Sequence, residues 1–235
     1  MRNIEGRTIL DGADISHWQG LDFDISNLDF VICKATEGVT FDDSTFVTNI
    51  ERGLAQGKCV GAYHFARPDN NTAIEEAKHF VEVVKPYVGN CLLALDWEGD
   101  AWNYPLTWIR EWLDAVYDMT GVRPLLYCNR SKVHLMQNVL DGNYGLWVAR
   151  WRTANVEVQN EQIAEKDYGD ISPYPFAAIW QYWNRPYDKD VFYGTAETWQ
   201  KYCNSDKGQD VINPLPTNKC DCAICRALRN AGLIE

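Results

Sequence analysis

The sequence predicts an α/β fold in which parallel strands alternate with helices, in a sheet that is either open or closed into a barrel. Three observations predict it. Short apolar runs recur along the chain, helix-like segments lie between them, and the runs are continuously apolar, as strands buried on both faces are. The 235 residues, 46% of them hydrophobic, also suffice for one large core.

Eight of these runs are predicted strands. Each combines apolar or β-branched residues over a length that is typical of a buried strand, although the last one is short. The predicted strands cover residues 9–16, 30–36, 59–66, 91–98, 123–129, 145–151, 176–183 and 188–192.

Four segments between the strands have apolar residues at helical spacing. They cover residues 44–56, 71–84, 105–119 and 131–140. Gly57 and Gly121 follow two of them, as glycine commonly does where a helix ends. After Leu140 the helical pattern fades, and residues 153–175 are polar and irregular. We therefore expect any barrel to be irregular, with fewer helices in its second half.

A composition shift near the C-terminus predicts the domain boundary. Residues 213–218 read Asn-Pro-Leu-Pro-Thr-Asn, which is typical of a linker, and residues 220–235 are too short for a core of their own. We predict one barrel domain over residues 1–212 and a linker with a short tail over residues 213–235. A helix over 223–231 could dock on the barrel or pair two subunits.

The cysteines fall into two groups. Four lie inside apolar strand-like runs and are predicted to be inert core thiols: Cys33, Cys59, Cys91 and Cys128. The late cysteines, Cys203, Cys220, Cys222 and Cys225, form a candidate zinc set only if the first folds back onto the other three. A disulfide or reduced thiols are favoured over zinc, so neither a metal nor a cofactor is predicted.

Charge and hydropathy exclude several classes of partner. A net charge of −11 argues against nucleic acid and anionic membrane surfaces, which are bound through Lys and Arg. Membrane insertion is not expected, since no apolar run approaches the roughly 20 residues that span a bilayer. The N-terminal MRNIEGRTIL lacks the hydrophobic stretch of a signal peptide. The aromatic content of 13% suits stacking on sugar rings, although any single ring could equally be core.

Polar and aromatic side chains follow most of the predicted strands at their C-terminal ends. Those ends meet at one rim of a β/α barrel, where active sites are built. The alternative is that strands simply become polar as they leave the core. The rim residues are Asp14, Ser16, His17, Lys34, Glu37, Tyr63, His64, Asp96, Glu98, Tyr127, Asn129, Arg150, Trp151, Gln181 and Tyr182.

Asp96 and Glu98 are the most informative of these residues. Two positions along a strand place both carboxyls on one face, roughly 6.5–7 Å apart at the backbone. Glycosidic cleavage needs one protonated carboxyl and a second group that stabilises or captures the sugar cation. Because close carboxylates resist ionising together, we predict that Glu98 keeps the proton. No H-E-x-x-H, G-x-S-x-G or glycine-rich phosphate motif supports a different chemistry.

An ordered set of motifs over about residues 9–203 resembles family 25 of the glycoside hydrolases, the Ch-type lysozymes or N-acetylmuramidases. The motifs are GADISHWQG at 12–20, KATEG at 34–38, GAYHFARP at 61–68, LALDWEG at 93–99, LLYCN at 125–129, LWVARW at 146–151 and IWQYW at 179–183. Their shared order is far more specific than D-x-E alone.

The resemblance implies an irregular TIM-like barrel with eight strands. It also implies hydrolysis, with net retention, of the β-1,4 bond between N-acetylmuramic acid and N-acetylglucosamine in bacterial peptidoglycan. Glu98 would be the general acid, Asp96 would support the reacting substrate, and Asp14 and Asp188 would line the site. Asp190 stands where the family usually has Asn. The residues expected to contact the glycan are Glu37, Tyr63, His64, Tyr127, Trp151, Gln181 and Tyr182.

Two other functions stay open at this point. A chitinase-like barrel uses a longer run of acids before its catalytic Glu, whereas Leu93, Ala94 and Leu95 precede Asp96 here. A non-catalytic carbohydrate-binding barrel would not need the acids. The missing signal peptide favours a phage or prophage endolysin, made in the host cytoplasm and released through a pore, over a secreted extracellular enzyme.

Overall fold

The computed structural model describes residues 2–4, 7–139, 143–151, 168–172 and 174–205. The strands are β1 (Arg2–Ile4), β2 (Arg7–Ile15), β3 (Phe30–Glu37), β4 (Phe41–Asp42), β5 (Cys59–Phe65), β6 (Cys91–Asp96), β7 (Leu125–Asn129), β8 (Leu146–Ala149), β9 (Ile179–Asn184) and β10 (Asp188–Phe192). The α-helices are α1 (Phe46–Ala55), α2 (Ala73–Val84), α3 (Thr107–Thr120) and α4 (Ala196–Cys203). Short 3₁₀ helices cover Lys85–Tyr87, Gly99–Asn103 and Arg130–Asn138.

Eight of the strands close into a barrel, as predicted. The order is β2-β3-β5-β6-β7-β8-β9-β10, and β10 pairs back onto β2. Seven of the eight are parallel, whereas β10 is antiparallel to both of its neighbours. Residues 185–187 alone connect β9 to β10. A parallel crossover needs a dozen or more residues, so this short connection can only form a hairpin.

Alternate residues of each strand face the barrel interior and the surrounding helices. On β6, Leu92 and Ala94 pack inside the barrel, while Leu93 and Leu95 pack outside against the helical layer. This alternation, which follows from the two-residue period of a strand, determines which rim residues can reach a central cavity.

The helical layer matches the prediction in its first half. Thr72 and Glu75 form a capping box at the start of α2, and Gly121 ends α3 in a left-handed conformation. The predicted helix over 131–140 is instead the 3₁₀ helix Arg130–Asn138. Its buried residues Val133 and Met136 are three positions apart, which is the period of a 3₁₀ turn.

Helix α4, which the sequence analysis did not predict, closes the base of the barrel. Trp199 is 2% exposed, and its ring contacts Phe30 and Phe192 at centroid distances of 4.8 and 5.1 Å. Its indole N–H donates to the Val60 carbonyl at 3.1 Å. The side chain therefore fills the interior end opposite the rim.

The cysteines of the described residues are all free thiols. Cys33, Cys91 and Cys128 are buried as predicted, and Cys59 is half-buried. Cys203 is also buried, in the cluster inside the barrel, where its thiol donates to the Trp199 carbonyl. Burial raises the pKa of this thiol and disfavours its thiolate. The other three members of the candidate zinc set lie outside the described residues, so the set stays a prediction.

The linker and tail predictions concern residues 213–235, including Cys220, Cys222 and Cys225, which lie outside the described residues. Among the helices that the structure describes, none combines the length and the apolar character that a membrane crossing requires.

We predict that Trp199→Ala lowers the free energy of unfolding by about 3–5 kcal/mol, because it empties the base of the barrel. Urea denaturation followed by intrinsic fluorescence measures the change. Lys201→Ala, an exposed substitution on the same helix, serves as the control and should shift the free energy by less than about 0.5 kcal/mol. Equal denaturation midpoints for the two variants would show that α4 does not support the barrel.

Candidate active site

A cavity of about 410 Å³ opens at the C-terminal rim of the barrel. Every one of the eight barrel strands contributes a side chain to it. The lining includes Asp14, Lys34, Tyr63, Phe65, Asp96, Glu98, Tyr127, Trp147, Trp151, Gln181, Asn184 and Asp188. The rim position is where a β/α barrel brings distant parts of the chain together.

Asp96 and Glu98 both line this cavity, as the strand period predicts. Asp96 is the last residue of β6, and Glu98 keeps an extended backbone with φ −145° and ψ 178°. Trp97, between them, points outward and packs on Trp108 at a centroid distance of 5.4 Å. The two carboxyls therefore share one face because the chain stays extended past the end of the strand.

Four carboxyls line the cavity, and burial raises the pKa of each. Burial, followed by the nearby Asp188, raises the pKa of Asp14 to about 7, and burial raises that of Asp188 to about 6. Burial also raises the pKa of Asp96 well above its ordinary range, with Glu98 as the second cause. The pKa of Glu98 is raised by burial and then by Asp188. The group as a whole therefore keeps protons close to neutral pH.

Lys34 is the cation that opposes this trend. Its buried ammonium lowers the pKa of both Asp96 and Glu98, and it lies over the Phe65 ring at 4.7 Å. Lys34 also donates to Glu37, which accepts a second bond from Arg67 Nε at 2.7 Å. Glu37 therefore does not line the cavity. It is connected to Asp96 and Glu98 only through Lys34.

Gln181 connects three strands across the cavity floor. Its Oε1 accepts bonds from the Tyr127 hydroxyl at 3.0 Å and from Trp151 Nε1 at 2.7 Å. Its Nε2 donates to Asp14 Oδ2 at 2.7 Å. Because two donors converge on the oxygen, the amide can point only one way, with its N–H group toward Asp14.

Asp190 lies beneath the cavity, inside the barrel, and is fully buried. Its Oδ1 accepts a bond from Trp147 Nε1 at 2.9 Å. Its carboxyl also meets that of Asp14, and burial followed by the charge of Asp14 raises its pKa well above the ordinary range. A buried acid, Asp190, therefore lies next to the cavity acid Asp14.

Besides Glu37, the structure places two more of the expected glycan contacts away from the cavity. Tyr63 and Phe65 point inward on β5, so His64 points outward. There it stacks on Trp112 at 5.4 Å and bonds to Glu76 Oε2 and Thr36 Oγ1, each at 2.7 Å. His64 is therefore a buried core residue, and its pKa is lowered by burial.

Tyr182 also faces the core, because it follows the inward Gln181 and consecutive strand residues face opposite ways. A bulge lies at this point, since Asp190 pairs with Gln181 and Lys189 with Trp183. The bulge turns Asn184 into the cavity in place of Trp183. A bulge leaves no mark in the apolar pattern, so the sequence analysis missed Asn184.

Other contributors were also missed. Trp147 and Phe65 could have been found from strand alternation, since each is two residues from another inward position. Trp18, 82% exposed, stands at the edge of the cavity on the loop after β2. It also borders a second cavity of about 710 Å³, with His17 and Glu37 in its wall. Loop residues of this kind carry no periodic signal.

Within the ranges that the structure describes, no group of three or more His, Cys, Asp or Glu side chains is arranged to hold a metal ion.

Comparisons with known proteins agree with this architecture. The family model described as "Glycosyl hydrolases family 25" matches residues 13–191. The autolytic lysozyme of Clostridium acetobutylicum is 28% identical over 171 residues, which cover 68% of this chain and 52% of that protein. The N,O-diacetylmuramidase of Chalaropsis sp is 31% identical over 117 residues, covering 43% of this chain and 56% of that protein. The chain thus spans about half the length of these curated relatives.

Among solved structures, the bacterial lysozyme of Streptomyces coelicolor superposes with a TM-score of 0.67 at 23% identity. The match covers 83% of this chain and 97% of that chain. At this level of identity the similarity establishes the fold.

The raised pKa values predict how stability depends on pH. Asp14 and Asp188 have pKa values of about 7 and about 6 when folded, above the ordinary 3.8, so the folded state binds protons more tightly. Their contribution to stability is complete below about pH 4 and is lost as pH rises through the folded values.

We therefore expect Asp188→Asn to raise the melting temperature by a few degrees at pH 8 and by less at pH 5. Differential scanning fluorimetry at both pH values measures this. Asp24→Asn is the matched control, because Asp24 is exposed and its pKa is lowered. An equal loss of melting temperature at both pH values in Asp188→Asn would contradict the expectation.

Proposed function

Because this chain belongs to the family 25 glycosyl hydrolases, we propose that it is a lysozyme that cleaves bacterial peptidoglycan. The bond cleaved is the β-1,4 link between N-acetylmuramic acid and N-acetylglucosamine. The names of the two curated relatives, an autolytic lysozyme and an N,O-diacetylmuramidase, support this substrate.

One observation carries the proposal: four carboxyls with raised pKa values converge in a single rim cavity from different strands. Glycoside hydrolysis needs a carboxylic acid that protonates the leaving oxygen and a carboxylate that stabilises positive charge on the sugar. A buried group of acids that keeps some of its protons near neutral pH supplies both forms at once. A binding site for a neutral glycan would not need them.

Glu98 is the proposed general acid. It is half-buried, less enclosed than Asp96, and therefore better able to reach a glycosidic oxygen in the cavity. Asp188 and burial favour its protonated form, while Lys34 holds the pKa from rising further. This balance keeps the proton present yet transferable, which is what general acid catalysis requires.

The remaining acids are proposed to stabilise the sugar cation that forms as the leaving group departs. Asp96 lies next to Glu98, and Asp14 and Asp188 face the cavity from β2 and β10. Net retention is expected whether an enzyme carboxylate or the substrate N-acetyl oxygen captures the anomeric carbon. Trp18 and Trp151, 82% and 46% exposed at the cavity edge, offer flat faces for the flanking sugars.

We also propose that the protein acts at the bacterial wall, where its substrate lies. Release from a host cytoplasm through a pore, as for a phage lysin, and secretion as an extracellular enzyme are the two routes considered. Culture fractionation of the native host, before and after induction of any prophage, separates them.

Glu98→Gln is expected to reduce the clearing of a peptidoglycan suspension by about 100- to 10,000-fold, because the amide has no proton to donate. Turbidity at pH 6 measures the rate. Glu111→Gln, the same chemical change at an exposed position on α3, is the control and should clear normally. Equal clearing by wild type and Glu98→Gln would remove Glu98 from its role.

The products and substrates separate the other functions. New reducing ends on N-acetylmuramic acid, first formed as the β-anomer, are expected for a retaining muramidase. Activity on chitin alone would favour a chitinase-like enzyme, and glycan binding without hydrolysis would favour a carbohydrate-binding barrel.

A further inference from the structure

Asp14 and Asp190 form an acid pair that runs from the cavity into the barrel interior. Asp190 points inward on β10 from a position paired with Gln181 of β9 on one side and Gly12 of β2 on the other. It is fully buried, while Asp14 is 8% exposed and borders the cavity. One acid of the pair therefore reaches the site, and the other lies within the protein.

The hydrogen bonds of Asp190 are incomplete unless it carries a proton. Its Oδ1 accepts from Trp147 Nε1 at 2.9 Å. No N–H or O–H group of the described residues donates to its Oδ2, which is buried. A buried carboxylate oxygen without a donor is strongly destabilising, whereas a carboxylic acid at that position becomes a donor itself.

Asp14 is the acceptor that such a proton would meet. Asp190 pairs with Gly12, two residues before Asp14 on the same face of β2, and with Gln181, whose amide donates to Asp14, so the two carboxyls are neighbours. Two charged carboxylates this close in a dry interior would repel one another. Asp14 Oδ2 already accepts from Gln181 Nε2 at 2.7 Å, and Tyr127 and Trp151 fix the direction of that amide. Asp14 therefore already accepts one fixed donor, and a proton on Asp190 would supply a second.

We propose that Asp190 is a positioning residue that stays protonated and donates from Oδ2 to Asp14, which turns the Asp14 carboxyl toward the cavity and favours its ionised form. This inference rests on the proposed hydrolase function for its catalytic consequence. The hydrogen bond itself does not depend on that function.

The surroundings favour one negative charge on this pair and oppose a second. Asp188 acts on both members and Glu98 acts on Asp14, in each case raising the pKa. The other ionisable groups facing Asp14 are Asp96 and the phenols of Tyr63 and Tyr127. Asp190, the more deeply buried acid, is the one that remains neutral.

Infrared spectroscopy tests the proton directly, without any catalytic readout. At pH 6 the wild-type protein should show a carboxylic acid C=O stretch that Asp190→Asn lacks, with an amplitude of one carboxyl group. Asp24→Asn, at an exposed acid whose pKa is lowered, should leave that band unchanged. An unchanged band in Asp190→Asn would mean that Asp190 is ionised, and the proposal would fail even if the enzyme were fully active.

Kinetics test the positioning role. Asp190→Asn keeps an N–H donor toward Asp14 at every pH, whereas Asp190→Leu has a similar volume and no donor. We expect the Leu variant to lose about tenfold to a hundredfold in kcat with little change in KM, and the Asn variant to recover most of that loss. Equal kcat values for two folded variants, whether both high or both low, would overturn the role. If no variant, including wild type, cleaves peptidoglycan, the infrared result still decides the proton, and only the proposed function fails.

Discussion

Strand β10 runs antiparallel between β9 and β2, and its pairing with both closes the barrel. The site depends on this closure. Asp14 on β2 and Gln181 on β9 are 167 residues apart in sequence, yet β10 brings them within 2.7 Å of one another. The same strand supplies Asp188 to the cavity and Asp190 to the layer below it. Without closure, the acids of the first and last strands would lie on opposite edges of an open sheet.

Gathering acids in a buried cavity opposes folding at neutral pH, because each ionised group loses water and repels the others. One cation and two neutral hydrogen-bond donors offset part of this cost. Lys34 acts on Asp96 and Glu98, while Gln181 and Trp147 supply neutral donors to Asp14 and Asp190. The apolar interior beneath them, closed by α4, provides stability that the rim does not. This division between a stable base and a strained rim is common to barrel enzymes.

Much of the architecture could be predicted because it follows from local pattern. Continuous apolar runs located the eight barrel strands, and helical spacing located α1, α2 and α3. The direction of β10 could have been read from the short connection before it. Helix α4 could not, since its eight residues carry two buried side chains, Trp199 and Cys203, and their environment is the interior of the finished barrel.

The candidate site was predictable only as far as strand alternation holds. Asp96 and Glu98 were placed together because the chain stays extended through both. His64 was misplaced because it follows the inward Tyr63, and consecutive strand residues face opposite ways. Tyr182 was misplaced for the same reason, since it follows the inward Gln181. Asn184 depends on a bulge, which is a property of two paired strands and not of either sequence. The function of Asp190 depends on contacts with three other strands, so no local pattern could reveal it.

The fixed orientation of the Gln181 amide has a further consequence. Trp151, which is 46% exposed, donates its indole N–H to the amide oxygen of Gln181. The amide nitrogen of the same side chain donates to Asp14. A ring at the protein surface and a charge near the barrel axis are therefore joined by two consecutive hydrogen bonds through one rigid planar group. A rotation of that ring removes one donor from the Gln181 oxygen and so changes the hydrogen bond that Gln181 makes to Asp14. The Trp151 ring and the Asp14 carboxyl are therefore coupled through Gln181.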